Sequence, residues 1–237
     1  MPNALKSWMC PLVFATVVAL ALAHPALARK GKPPTDLAEI LDRMNDMAKR
    51  LKTVSADLEY TKVTVLVDDK STETGQLLYR KGKNPEIRID IQKPNQETIL
   101  FRKNKGEIYL PKINQIQEYD LEQKSELIEQ FFLLGFGSET GELKKSYDVK
   151  YLKEEELEGD MTAMLEFLPR KENVAQQLAK IQIWISEESW LPAQQKFFES
   201  GGDYMIAHYT DVKVNRFLPA SAFDLNPPSG VKRVKMN

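Results

Sequence analysis

Residues 75–91 read GQLLYRKGKNPEIRIDI, and the pattern of side chains in this stretch decides the fold. Apolar and polar side chains alternate here on both sides of a short polar link. Leu77 and Tyr79 come before the link, and Ile89 and Ile91 come after it. Alternation with a period of two is typical of a β-strand that buries one of its faces. The stretch therefore predicts two antiparallel strands that share an apolar face.

The same alternation recurs along most of the chain, in short segments separated by polar links. The clearest segments are residues 54–60, 97–103, 107–111 and 114–121, with a second series between residues 146 and 214. Short strands joined by short links predict an antiparallel meander. Val63, Val65 and Val67 continue with the opposite parity, so we also expect the first strand to run on through a bulge near Thr61.

A different period appears in residues 36–52, DLAEILDRMNDMAKRLK. Apolar side chains recur there at intervals of three and four residues, which predicts an amphipathic helix with one buried face. Asp36 and Glu39 have the spacing of a helix cap. Met44 and Met47 lie on the buried face, and we interpret them as core residues because methionine fills irregular gaps.

An unusually apolar segment, residues 128–138 with the sequence IEQFFLLGFGS, interrupts the strands. It is shorter than the roughly 20 residues that a helix needs to cross a bilayer. Helix-forming residues precede the aromatic ones, and Gly135 and Gly137 follow, so we predict a helix over residues 122–134 that ends at these glycines. We interpret the segment as a lid over an apolar face of the sheet.

The N-terminus resembles a secretory signal peptide. Lys6 gives it a basic start, residues 9–23 are an apolar core, and the residues Ala26-Leu27-Ala28 form a cleavage site of small side chains. We therefore predict a signal peptide over residues 1–28, a flexible mature N-terminus over residues 29–35 and a single domain over residues 36–237. The alternative for the first segment is a retained membrane anchor.

The sequence offers little chemistry for catalysis. Cys10 is the only cysteine and lies in the predicted signal peptide, so the mature chain has no disulfide and no thiol nucleophile. His208, the only histidine after residue 28, is interpreted as a strand-surface residue. Motifs for nucleotide binding, for serine hydrolases and for metal ligation are absent from the sequence. We predict no catalytic residue, no metal, no cofactor and no enzymatic activity, although an acidic pair of the glycoside hydrolase type remains open.

The charge balance argues against one class of partner. The net charge is −1, and no basic stripe of the kind that binds nucleic acid is present in the sequence. What remains is a surplus of apolar strand residues with one amphipathic helix and one apolar segment to cover them. Such a sheet either closes into a barrel or keeps a concave apolar face. The residue pattern alone is equally compatible with a lipid-binding cavity and with a completely filled core.

Four stretches, in this order, resemble the periplasmic outer-membrane lipoprotein carrier family, the LolA-like proteins. They are residues 53–63 (TVSADLEYTKV), residues 75–91, residues 99–119 (ILFRKNKGEIYLPKINQIQEY) and residues 215–234 (NRFLPASAFDLNPPSGVKRV). The matching positions are Gly75, Leu77, Pro85, Arg88, Gly106, Tyr109, Pro111, Phe223, Leu225, Pro227, Pro228, Gly230 and Val231. The resemblance covers nearly all of residues 36–234.

This resemblance implies a mainly β fold of the α+β class. It implies an incomplete antiparallel β-barrel, a strongly curved sheet, with an N-terminal helix and a helical lid over an apolar cavity. The implied function is a monomeric carrier in the periplasm of a Gram-negative-type envelope. It would bind the acyl chains of lipoproteins, or other lipids, and move them from an inner-membrane donor complex towards an outer-membrane acceptor. The alternative is a lipid-sensing regulatory protein of the same fold that acts through a membrane signalling partner.

The candidate ligand-binding residues follow from the apolar strand faces, the lid and the family motifs. They are Leu58, Tyr60, Leu77, Tyr79, Ile89, Ile91, Tyr109, Phe131, Phe132, Leu134, Phe136, Ile183 and Ile185. Some family carriers have an arginine, tied to lid closure, immediately before the proline of the second motif, where this chain has Asn84. Arg80, Asn84 and Arg88 are therefore the candidates for a polar rim, and Lys81 or Lys83 could also replace the missing arginine.

Overall fold

Alternating apolar and polar side chains produce one curved, open sheet of twelve strands. The computed structural model describes residues 36–121, 134–137 and 139–236. The strands are β1 (Thr53–Thr64), β2 (Asp69–Arg80), β3 (Glu86–Lys93), β4 (Glu97–Arg102), β5 (Lys105–Leu110), β6 (Gln115–Asp120), β7 (Tyr147–Leu157), β8 (Asp160–Pro169), β9 (Leu178–Ser186), β10 (Pro192–Glu199), β11 (Tyr204–Val214) and β12 (Lys232–Met236). The helices are α1 (Leu37–Arg50), α2 (Thr140–Ser146) and α3 (Glu172–Ala175). Short 3-10 turns cover Val65–Val67, Pro111–Ile113 and Ala220–Phe223.

The strand order is β12-β6-β5-β4-β3-β2-β1-β11-β10-β9-β8-β7. Two meanders, β1–β6 and β7–β11, meet where β1 pairs with β11. All of these pairings are antiparallel, and β12 then joins β6 in parallel at one edge. The predicted mainly β fold with a strongly curved, unclosed sheet is confirmed. The parallel β12 is an addition that the sequence pattern did not predict.

Helix α1 forms where its period predicted it. Asp36 caps it by accepting a hydrogen bond of 2.9 Å from the backbone N–H of Glu39. Ile40, Leu41 and Met44 are buried, so Met44 is a core residue as interpreted. The predicted helix over residues 122–134 lies outside the described residues, apart from Leu134, and so do the predicted signal peptide and the flexible N-terminus. No helix in the described part of the chain has the length and apolar character that a membrane span requires.

The first hairpin differs from its prediction in two ways. The chain reverses at the 3-10 turn Val65–Val67, which Asp68 ends in a left-handed conformation at φ 51°, so Val65 and Val67 do not continue β1. Their side chains are exposed instead. The register between β1 and β2 runs without interruption, and the irregularity lies between Ser55 and Asp57 on the β11 side, not at Thr61. The register of β1 therefore shifts relative to β11, its partner far along the sequence, and stays regular relative to β2.

The described residues form two large clusters of buried side chains on one face of the sheet. One, here called the β9 cluster, contains Ile40, Leu41, Met44, Leu134, Leu143, Tyr147, Ala163, Leu165, Phe167, Val174, Leu178, Ile181, Ile183, Ile185 and Phe197. The other, here called the β3 cluster, contains Leu51, Val54, Ala56, Leu58, Leu77, Tyr79, Ile87, Ile89, Ile91, Phe136, Leu191, Ala207 and Tyr209. Both clusters lie on the face of the sheet that packs against α1, which we call the inner face.

Candidate functional site

Strand register places most of the predicted lining residues on the inner face. Leu77 of β2 pairs with Ala56 of β1 and with Ile89 of β3. Directly paired residues of antiparallel strands lie on the same face of a sheet. The inner face therefore carries Leu58, Leu77, Tyr79, Ile89 and Ile91 in the β3 cluster, with Tyr60 packed against its margin. Ile183 and Ile185 lie in the β9 cluster.

A four-residue segment, Leu134–Gly137, covers the inner face where the two clusters meet; we call it the plug segment. Leu134 is 2% exposed and belongs to the β9 cluster, whereas Phe136 is 1% exposed and belongs to the β3 cluster. Two buried side chains only two residues apart thus seal two different parts of the core. Phe131 and Phe132, which were also predicted to form the lid, lie outside the described residues.

Glycine makes this placement of the plug segment possible. Gly135 and Gly137 have φ values of 88° and 80°, in the left-handed region that residues with a Cβ rarely adopt. A Cβ at position 135 would also lie 2.7 Å from Cγ of Pro192, much closer than carbon atoms pack. The backbone therefore approaches β10 at a distance that only glycine allows.

A buried polar chain holds the plug segment in place. Gln195 of β10 is completely buried, and its Nε2 donates a hydrogen bond of 2.6 Å to the backbone carbonyl of Leu134. Its Oε1 accepts a hydrogen bond of 2.7 Å from the hydroxyl of Tyr209. The Tyr209 ring meets the Phe136 ring edge to face, with centroids 5.0 Å apart. Burial raises the pKa of the Tyr209 hydroxyl, with a smaller contribution from Tyr60, so this group stays a donor.

Gln195 and Tyr209 are site residues that the sequence analysis missed. The register pairs Gln195 with Ile183 and Ala207, so its amide points into the core. The sequence contains one signal for this: in PAQQKFFES, Gln195 has the same parity as Phe197, which is buried. A polar residue at a core-facing position of a strand indicates a specific buried hydrogen bond.

The predicted polar rim is wrong for two of its three residues. Arg80 of β2 pairs with Glu86 of β3, and Arg88 of β3 pairs with Leu100 of β4. Both arginines lie on the outer face, because Ile87 and Ile89 of β3 point to the inner face. The guanidinium of Arg80 lies 4.5 Å above the ring of Phe223, and the Nε of Arg80 donates to Glu86 at 2.7 Å. Nη1 of Arg88 donates to the carbonyls of Ala222 and Asp224 at 3.1 and 2.8 Å. Both arginines therefore hold the C-terminal segment against the outer face.

Two further candidates also lie away from the inner face. Tyr109 pairs with Thr98 and Ile116, so it points to the outer face, whereas its neighbour Ile108 points inward. Asn84 is exposed in the link between β2 and β3. Lys81, in the same link, contacts the helix that packs on the inner face. Its Nζ donates a hydrogen bond of 2.8 Å to the carbonyl of Ala48 in the last turn of α1. A cation is favourable at that end of a helix.

The outer face has its own groove, with a volume of about 440 Å³. Its lining residues, most of them polar, are Asp57, Leu58, Glu59, Thr74, Gly75, Gln76, Gln92 and Thr210. His208 also points outward, opposite Glu59, and lies 3.1 Å from Glu158. Within residues 36–121, 134–137 and 139–236, no group of three acidic, histidine or cysteine side chains is arranged to hold a metal ion. The two large apolar clusters of the described residues thus lie on the inner face, and the groove on the outer face is mostly polar.

Comparison with known proteins agrees with this arrangement. The profile of the family described as outer membrane lipoprotein carrier protein LolA matches residues 49–226. The chain belongs to the LolA family. The match includes every strand from β1 to β11, together with the plug segment and Gln195. The resemblance seen in the sequence motifs is therefore confirmed. A comparison with curated proteins found no match.

Solved structures with the LolA-like fold share little sequence with this chain. MucB is 11% identical, with a TM-score of 0.51, and the match covers 81% of this chain and 64% of MucB. A conserved protein from Thermus thermophilus is 14% identical, with a TM-score of 0.50 and coverage of 84% and 98%. A putative outer membrane lipoprotein-sorting protein domain from Vibrio parahaemolyticus is 14% identical, with a TM-score of 0.45 and coverage of 78% and 95%. The first two likenesses show a shared fold.

Proposed function

We propose that this protein is a periplasmic carrier that binds acyl chains of lipoproteins, or of related lipids, on the inner face that the plug segment covers. It takes its cargo from a donor at the inner membrane and carries it towards the outer membrane. One observation supports this most strongly: Leu134 and Phe136 seal an extended apolar face from a segment with two left-handed glycines. Membership of a lipoprotein carrier family supports it independently.

The energetics suit a carrier that must also release its cargo. Burying one methylene group contributes about 0.8 kcal/mol, so a chain of about sixteen carbons gains on the order of 10 kcal/mol. The acyl chain must displace Leu134 and Phe136, and each of these side chains gives up about 1.5 to 3 kcal/mol of burial. Plug and cargo compete for the same surface. The net affinity is therefore lower than the apolar area alone would give.

Purified protein and a fluorescent fatty acid test this proposal. We expect the protein, isolated from the periplasm, to contain extractable lipid by mass spectrometry and to bind the probe without turning it over. Phe136→Ala removes the ring that the acyl chain must displace, so the probe should bind about tenfold more tightly. Phe217→Ala, at a ring that is 89% exposed, is the matched control and should leave the affinity unchanged.

Three results would contradict the proposal. Absence of both lipid and probe binding would exclude a carrier, and turnover of the probe would indicate a hydrolase. Equal affinities of wild type and Phe136→Ala would place the ligand elsewhere. Circular dichroism must show that the variant is folded, since removing a buried phenylalanine costs about 3 to 5 kcal/mol.

The second candidate is a lipid-sensing regulator. It is favoured by the fold shared with MucB, which has been crystallised in complex with MucA(peri). A regulator would bind lipid at the same inner face but would act through a stable complex with a membrane signalling protein. Affinity capture from solubilised membranes, with and without lipid, separates the two, because a carrier releases its cargo and its partners.

A further inference from the structure

Gln195 is a polar group at the centre of an apolar surface. Its neighbours across the strands are Ile183 and Ala207, and its side chain is completely buried. The orientation of the amide is fixed by its partners. The carbonyl of Leu134 can only accept, so the nitrogen must face it, and the hydroxyl of Tyr209 then donates to the amide oxygen. The N–H of Gln195 is thus aimed at the surface that the plug segment covers.

The acceptor for this N–H belongs to the plug segment, which must move if cargo takes its place on the inner face. When the plug segment leaves the inner face, the carbonyl of Leu134 leaves with it, while Tyr209 on β11 continues to hold the amide oxygen. A buried donor without an acceptor is unfavourable, and a saturated hydrocarbon has no atom to offer it. An ester or amide carbonyl has an oxygen that can accept this hydrogen bond. It is also the group through which an acyl chain is joined to a lipid or to an acylated cysteine.

We propose that Gln195, oriented by Tyr209, is a carbonyl-binding subsite. Its N–H donates to the ester or amide carbonyl of acylated cargo in place of the Leu134 carbonyl. The proposal rests on the carrier function and specifies its ligand as an acyl group and not a bare hydrocarbon chain. The same N–H then donates a hydrogen bond in both states. It binds the Leu134 carbonyl in the empty protein and the acyl carbonyl in the loaded protein. It also sets how deep the acyl chain enters, because the carbonyl stops at Gln195.

Two lipids that differ only in the carbonyl test this subsite. Monopalmitoylglycerol carries an ester, and 1-O-hexadecylglycerol carries an ether on a chain of the same length. We expect the wild-type protein to bind the ester about five- to tenfold more tightly. Gln195→Met keeps the length of the side chain and removes the amide, so the preference should disappear. Because the preference is a ratio measured within one variant, any loosening of the plug segment cancels.

Two further variants complete the experiment. Tyr209→Phe removes the hydroxyl that orients the amide and should reduce the preference without abolishing binding, which provides a test if Gln195→Met does not fold. Gln182→Met makes the same substitution on the neighbouring strand β9, at a side chain that lies on the outer face. The Gln182 amide donates to Glu166 at 3.2 Å, and this variant should keep the full preference.

The outcomes separate this subsite from the carrier function. If the wild-type protein binds ester and ether equally, the carbonyl subsite is wrong while lipid binding stands. If Gln195→Met retains the preference, another group recognises the carbonyl and the assignment to Gln195 is wrong. If neither lipid binds the wild-type protein, the carrier function fails together with the subsite.

Discussion

Gly135 is the residue that lets Leu134 and Phe136 reach two different clusters at once. Its φ of 88° turns the backbone so that both neighbouring side chains point inward, and the absent Cβ leaves room for Pro192. Each property alone would favour glycine, and together they require it. The closed position of the plug segment therefore depends on a residue without any side chain.

Replacing this glycine should destabilise the closed protein. A residue with a Cβ in the left-handed region costs about 1 to 2 kcal/mol, and the new methyl group also displaces the Pro192 ring. We expect Gly135→Ala to lower the free energy of unfolding, measured by urea denaturation, by at least this amount. Gly141→Ala in α2 is the matched control, since no atom lies within 4 Å of the new Cβ and alanine favours a helix. Equal stabilities of the two variants would show that Gly135 is not under this constraint.

The residues of the site differ in how far the sequence could predict them. Leu134 and Phe136 were predictable because large apolar side chains beside glycines in a polar chain need a surface to cover. Gln195 was not, because a glutamine in an alternating strand usually points to water. Its shared parity with Phe197 is the one signal in the sequence, and the pairing of β10 with β9 and β11 is needed to show that this position faces the core. Such a residue becomes visible when the register is known.

At the scale of elements, the C-terminal segment explains why two predicted rim residues lie elsewhere. The turn Ala220–Phe223 crosses the outer face, and Phe223 is completely buried there beneath the guanidinium of Arg80. Arg88 and Arg102 donate to backbone carbonyls of the same segment. The family motif at Phe223 therefore has a structural role: it fastens the chain across the sheet before β12 joins the edge.

This division of roles between the two faces can be tested. Phe223→Ala should lower the free energy of unfolding by about 3 to 5 kcal/mol because it removes a buried ring. It should leave the affinity for the fluorescent fatty acid unchanged, since the ring lies on the face opposite to the plug segment. Phe217→Ala, earlier in the same segment and exposed, should change neither quantity. A large loss of affinity in a folded Phe223→Ala protein would show that the outer face contributes to binding.

The strands themselves were largely predictable, and their faces only in part. Alternation with a period of two predicts which side chains share a face, but it does not predict which of the two faces α1 covers. In β4–β6 both faces carry apolar residues: Leu100 and Ile116 are buried on the outer face, and Ile99 lies against the inner cluster. Tyr109 was consequently placed on the wrong side, since it shares the face of its partner Ile116.

At the scale of the whole molecule, one open sheet presents a large apolar face, and among the described residues α1 and the plug segment cover much of it. Helix α1 supplies part of the cover through side chains such as Ile40 and Leu41, and the plug segment supplies another part through Leu134 and Phe136. The helix is fastened at both ends, by its Asp36 cap and by Lys81. The plug segment is held by a buried side-chain hydrogen bond from Gln195, and we propose that it is the cover that a ligand displaces.

The central claim is that the plug segment and an acyl chain occupy the same surface in turn. Hydrogen exchange at the backbone amides of residues 134–137, measured with and without a saturating acylated peptide, tests this most directly. We predict faster exchange at these amides when the ligand is bound, together with slower exchange in β1, β2 and β3, whose inner face it then covers. Unchanged exchange at residues 134–137 under saturating ligand would contradict the claim, because the plug segment would then remain in place while cargo binds.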